Sequence, residues 1–281
     1  MAAVPDRLGR HARGRTSSRL ELGDQRTVVG LTVGQIRAME DSVPMPVTFP
    51  AHQGLIAWTK LRWPSLIDGT AVCIGAAAPD FAYSFSHWMN VRSHTAVGLV
   101  LWAIPFTVVA AYVTRWRAAA GIFAHLPDLG PLRVRSYRVL GERRPGFVVT
   151  LASAVVGAGS HVLIDAFTHG GRWGADLLGL NAVLFTAPIR GDFTVARVGQ
   201  YFAHVVGSLT FVVLLVMVAR GGLLERWYGA ERVEAVRAYE PGLAERVRFW
   251  SMVFIPTVAA VVVVGPFFDR SPVFLTITAF T

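Results

Sequence analysis

The chain has 281 residues, of which 53% are hydrophobic and only 16% charged, and its mean hydropathy is +0.46. Soluble globular domains carry about 25% charged residues, so this composition excludes an ordinary soluble domain and points to a polytopic membrane protein. The formal net charge of +9 comes without a stripe of interleaved basic and aromatic residues and without zinc-finger spacing, which excludes nucleic acid as a partner.

In chain order, residues 1–44 are rich in Arg and Gly and lack an apolar core of signal-peptide length. They read as a disordered or non-native extension ahead of a helical membrane domain over 45–281. Residues 51–62 predict a short helix with His52 at its start and Lys60 and Arg62 at its end; Pro64 breaks it. An apolar Gly/Ala-rich segment over 66–79 follows. Together the two predict a helical hairpin, marginal in length for crossing a bilayer at about 1.5 Å per residue. An aromatic connector over 81–93 contains His87, Trp88 and Arg92.

Four firm spans come next, over 95–114 (with Pro105 as a kink), 147–168, 201–219 and 250–268. They are separated by a basic loop at 115–146, a mixed loop at 171–200 and a charged stretch at 220–248, where Arg and Glu alternate as in a solvated helix or hairpin. The expected fold is all-α: a polytopic transmembrane bundle of four spans plus the N-terminal hairpin. The single cysteine, Cys73, excludes an intrachain disulfide and any cysteine-based metal cluster. Neither a glycine-rich phosphate loop nor a GxSxG elbow is present.

The most informative stretch is 157–171, GAGSHVLIDAFTHGG. Ionisable groups in an apolar helix must be paired, hydrated or metal-bound. Residues at i and i+4 share a helical face, so His161 and Asp165 can address one atom, and His169 follows where Gly170-Gly171 ends the helix. Lys and Arg gather in loops 115–146 and 220–248, which makes those loops cytoplasmic. That topology collects His52, Asp80, His94, His161, Asp165, His169 and His204 at the outer end of the bundle, while His11 and His125 lie elsewhere. Imidazole and carboxylate without thiolate suit zinc, and also manganese or iron. Asp80, Asp165 and Arg92 are the catalytic candidates, Arg92 as a clamp for a phosphate oxygen.

MPVTFPAH, APDF, SHTAVGL and SHVLIDAFTHGG, in that order, resemble a bacterial membrane family, the domain of unknown function 4184, itself similar to membrane-bound metal-dependent hydrolases. The resemblance covers residues 45 to about 219. The order of ligands is also similar to that of the zinc-dependent phospholipase C and P1-nuclease group, helical enzymes that cleave phosphoesters. That similarity implies His52, Asp80, His94, His161, Asp165 and His169 as metal ligands. The chain lacks a downstream His-x-x-x-Glu pair, so one or two ions are expected, with His204 as a partial substitute.

Three functional readings stay open at this point. The first is a membrane-embedded metal-dependent hydrolase acting on a phosphoester or lipid at the outer face, with the bilayer as its other partner. The second is a haem or metal carrier with His94 and His161 or His204 as axial ligands. The third is a transport or structural protein whose polar cluster is a hydrogen-bonded network or proton path.

Overall fold

Apolar runs separated by Pro, Gly and Arg-rich breaks fold into helices nearly throughout. The computed structural model describes residues 49–85, 91–142, 144–188 and 191–268. The extension read over 1–44 lies outside these, as do His87 and Trp88.

Helix α1, Ala51–Arg62, ends with Lys60 and Arg62 against its negative dipole end. The Lys60 ammonium donates to the carbonyls of Pro64 and Ile67, which shapes the turn that follows. Asp68 caps helix α2, Gly69–Gly75, by accepting from the backbone N–H groups of Thr70 and Ala71. A four-residue helix α3, Ala78–Phe81, and a 3₁₀ turn, Ala82–Phe85, complete the hairpin region. None of these reaches the ~20 residues that a bilayer core requires.

Helix α4, Ala96–His125, is 30 residues long and runs past the end expected at Thr114. Pro105 has no N–H to offer the carbonyl one turn back, and the helix passes it through a π-turn over Leu99–Ala103. Arg115, expected to open a solvated loop, is instead buried in a second π-turn, Thr114–Ala118, where it pairs with Asp68. Helix α5, Phe147–Thr168, matches its expected span. The stretch read as a mixed loop holds a short helix α6, Trp173–Leu177, and an antiparallel hairpin of β1, Val183–Ala187, and β2, Gly191–Thr194. Helix α7, Val195–Arg220, follows, then α8, Leu223–Tyr228, α9, Ala230–Ala238, and α10, Leu243–Phe268.

Among the described residues, three helices, α4, α5 and α7, are long and apolar enough to cross a membrane. The expectation of four is corrected to three. The fourth expected span falls in α10, which opens with Glu245, Arg246 and Arg248 and whose later side chains lie partly outside the described residues.

The bundle places polar groups inside and apolar groups outside. Thr107, Thr150, Ser153 and His161 are buried, whereas Leu101 is 73% exposed, Val148 75% and Phe202 69%. This is the arrangement of a protein solvated by lipid, where helices meet through small and polar residues rather than large apolar ones. Two glycine contacts set the spacing. A Cβ on Gly207 of α7 would lie 2.3 Å from the Ala51 carbonyl oxygen of α1, and one on Gly157 of α5 would lie 2.4 Å from the Val72 carbonyl oxygen of α2. The first contact draws the start of α1 onto α7; the second seats α2 on the face of α5 that carries His161. A separate small core of Val139, Leu224, Val233 and Val236 joins the 3₁₀ stretch Val134–Gly141 to α8 and α9.

Candidate metal centre

The end of α2, the α3 turn, the start of α4 and the last turns of α5 meet at one point. His161 and Asp165, one turn apart on α5, are 0% and 4% exposed. Asp80 arrives from α3, and His94 from just ahead of α4. One ligand atom from each of Asp80, His94, His161 and Asp165 lies within 4.8 Å of the others. His94 Nε2 is 3.2 Å from His161 Nε2, 3.3 Å from Asp80 Oδ1 and 3.2 Å from Asp165 Oδ2. His161 Nε2 is 3.3 Å from each of the same two carboxylate oxygens.

These separations are diagnostic. A tetrahedral ion with ligand bonds of about 2.0–2.1 Å has ligand–ligand edges of about 3.3–3.4 Å, and five edges here fall at 3.2–3.3 Å. The protonation pattern agrees. His161 Nδ1 lies 2.8 Å from the Ala76 carbonyl oxygen. A carbonyl only accepts, so Nδ1 carries the proton and the neutral ring turns the lone pair of Nε2 into the cluster. Metal-binding histidines have this second hydrogen bond as a rule. Without a cation, the carboxylates are matched only if both imidazoles take a second proton, and two N–H groups then point at each other across 3.2 Å.

His94 Nδ1 meets Ser93 Oγ at 3.1 Å and Tyr83 Oη at 3.5 Å, with the Tyr83 ring stacked on the imidazole. Burial works to lower the His94 pKa, but hydrogen bonds with Asp165 and Asp80 outweigh it and the net shift is upward.

Asp165 has a second side. Its Oδ1 is buried without a hydrogen bond among the described residues, and it faces His52 Nε2 and His169 Nδ1, each at 3.5 Å. His52 stacks on His161 at 4.1 Å between ring centroids, and its own Nδ1 is buried and unpartnered. Burial lowers the His52 pKa to about 4, and burial also lowers that of His169, so both rings are neutral near pH 7 and present lone pairs. His169 Nε2 contacts the Gln200 side-chain amide at 2.9 Å. His52, His169, Gln200 and His204 line a cavity of about 10 Å³, roughly the room one water or ion needs.

The seven expected ligands therefore divide. Asp80, His94, His161 and Asp165 form the tight group. His52 and His169 address the other Asp165 oxygen. His204, edge-on to His52 at 6.3 Å, lines the cavity without joining the tight group. Arg92 is exposed, and its guanidinium makes no hydrogen bond or ion pair to the cluster among the described residues. His125 is elsewhere, stacked on Phe249 and bonded to the Gly121 carbonyl. Tyr83, Ser93, Gln200 and the Ala76 carbonyl were not singled out by sequence, since hydroxyls, amides and backbone oxygens have no distinguishing pattern. Arg172, which bonds Tyr83, had one available signal, its position directly after the Gly170-Gly171 stop.

Neither the curated proteins nor the solved structures include a match to this chain. The family model of the domain of unknown function DUF4184 matches residues 45–276, covering all the elements that build the cluster, and the chain belongs to that family.

Proposed function

We propose that this protein is a membrane-embedded, metal-dependent hydrolase. The observation that carries the reading is the convergence of two imidazole nitrogens and two carboxylate oxygens at the edge lengths of one metal ion, with the His161 lone pair turned inward. Four-coordinate nitrogen and oxygen donors favour zinc, with manganese or iron as the other candidates. Asp80, His94, His161 and Asp165 hold the first ion. His52, His169 and the free oxygen of Asp165 are suited to a second, with His204 behind them.

Bound there, a divalent ion supplies Lewis acidity and lowers the pKa of a water toward neutrality. The chain's own residues do the rest. His161 and Asp165 form the closed floor, while the Asp80 side chain is 19% exposed and marks the side from which a substrate approaches. The protein floor excludes water from behind, which strengthens every charge interaction within the site. The positive-inside rule puts loops 115–146 and 220–248 in the cytoplasm and the site at the outer face, with α10 as the fourth span. Such a location suits a phosphoester or lipid substrate. A haem ligated by His94 and His161 is disfavoured, since a 3.2 Å gap leaves no space for a porphyrin between the two nitrogens.

The test is hydrolysis of bis(p-nitrophenyl) phosphate and of a short-chain phospholipid by detergent-purified protein supplied with zinc. Turnover by the wild type, lost in His94→Ala, is expected. Metal-loaded protein that cleaves neither class, or equal turnover in His94→Ala, would count against the reading.

A further inference from the structure

The rim of the cluster carries a cation placed to grip an anion. Beyond the end of α5 the chain turns at Gly170-Gly171, and the Arg172 backbone N–H donates to the His169 carbonyl at 3.4 Å. The Arg172 side chain reaches across the opening and donates to the Tyr83 hydroxyl. Tyr83 in turn lies against His94, ring on ring with centroids 5.6 Å apart and its hydroxyl 3.5 Å from Nδ1. Arg172 thereby connects the two most open parts of the site, Asp80 with its neighbour Tyr83 and His169, whose side chain is 33% exposed. Among the described residues no carboxylate forms an ion pair with it, whereas Arg133, Arg135, Arg237 and Arg246 at the other end of the chain's loops all have one.

From this geometry we infer that Arg172 is the anion-binding residue of the site and that the substrate presents a phosphoryl oxyanion to it while another oxygen faces the metal ligands. Two carboxylates and one divalent ion cancel in charge, so Arg172 leaves the rim with a net positive charge that a neutral ester would not balance. A guanidinium offers parallel N–H donors matched to two phosphate oxygens, and it keeps its charge at any physiological pH. The Tyr83 bond holds one edge of the fork still and leaves the other edge for substrate. The phosphate can belong to a lipid head group or to a free ester. Trp173, Leu177 and Leu178, which follow Arg172, are 59%, 72% and 60% exposed and suit the bilayer boundary.

This inference rests on the metal-site reading, and one experiment separates the two. Inorganic phosphate binding is measured by calorimetry on zinc-loaded wild type, Arg172→Ala, Arg172→Lys and Arg92→Ala in phosphatidylcholine nanodiscs, with metal content determined for each. Arg172→Ala is expected to keep its metal and lose phosphate affinity by ~10- to 100-fold, the loss that follows removal of a charge-assisted bond pair. Arg172→Lys should fall between, and Arg92→Ala should match wild type. Phosphate displaced by phosphatidic acid in the nanodisc points to a lipid head group; phosphate undisturbed by it points to a free ester. Equal phosphate affinity in wild type and metal-retaining Arg172→Ala, or a loss confined to Arg92→Ala, overturns the assignment to Arg172. A wild type that holds no metal overturns the metal site itself and this inference with it.

Discussion

Asp68 and Asp165 are both buried among apolar helices, 2% and 4% exposed, and their surroundings are opposite in kind. Asp68 is saturated by protein donors. One oxygen takes the Arg115 guanidinium and the N–H groups of Thr70 and Ala71, the other takes the Thr150 hydroxyl at 2.8 Å, and its own N–H donates to Ser153 Oγ. Asp165 has no such set. Its Oδ2 faces two ring nitrogens, one of which points a lone pair at it, and its Oδ1 has no hydrogen-bond donor among the described residues. A buried carboxylate with a full complement of donors is a structural tie. One surrounded by other acceptors calls for a cation.

The largest effect should come from breaking the saturated cluster. Arg115→Ala leaves the Asp68 carboxylate buried and without its counter-charge, a change of the kind that costs about 3–5 kcal/mol. The expected outcome is a large fall in melting temperature, or failure to accumulate in the membrane, that added zinc does not reverse. A melting temperature within error of wild type would show that Asp68 and Arg115 are not a structural tie.

Metal removal should act on the other cluster alone. At a free ion concentration of 100 Kd, binding adds about 2.7 kcal/mol of stability, so chelation should lower the melting temperature of wild type and restoring zinc should recover it. Asp165→Ala should be insensitive to both treatments. Gly157→Ala couples the two regions, because its new Cβ would lie 2.4 Å from the Val72 carbonyl and push α2 away from α5. A loss of about 1–3 kcal/mol is expected, together with weaker metal binding as the Ala76 carbonyl leaves His161.

The smallest changes sharpen the contrast most. Ser93→Ala removes a hydroxyl from His94 Nδ1 and should weaken metal affinity, within the ~10- to 100-fold typical of such supporting bonds, with little change in stability of the metal-free protein. Thr150→Ala should do the reverse, costing about 1 kcal/mol and leaving the affinity alone. Parallel metal titrations and thermal melts of the two variants check both statements, and a swap of the two outcomes would refute the division of roles.

The cluster was legible in the sequence because its members are few and chemically loud: histidines and aspartates in otherwise apolar segments, with His161 and Asp165 one helical turn apart. Helix α5 was legible for the same reason, an uninterrupted apolar run between Gly146 and the glycine pair. Arg115 was misread because its partner Asp68 lies 47 positions earlier and no local pattern links the two; tertiary pairing lengthened α4 where local charge predicted a loop. The hairpin of β1 and β2 was missed since its pairing is set by contacts such as Phe185 on Phe193 within a stretch of mixed composition. Arg172 was passed over because Arg92 lies close to His94 in sequence, whereas Arg172 is close to Tyr83 only in space.

The most direct measurement is metal content per chain, by plasma mass spectrometry on protein purified without chelator, with Asp165→Ala alongside. One or two equivalents of zinc, manganese or iron in wild type, absent from the variant, is the predicted result. A wild type with no more metal than Asp165→Ala would contradict the account and leave the cluster as a doubly protonated hydrogen-bonded network.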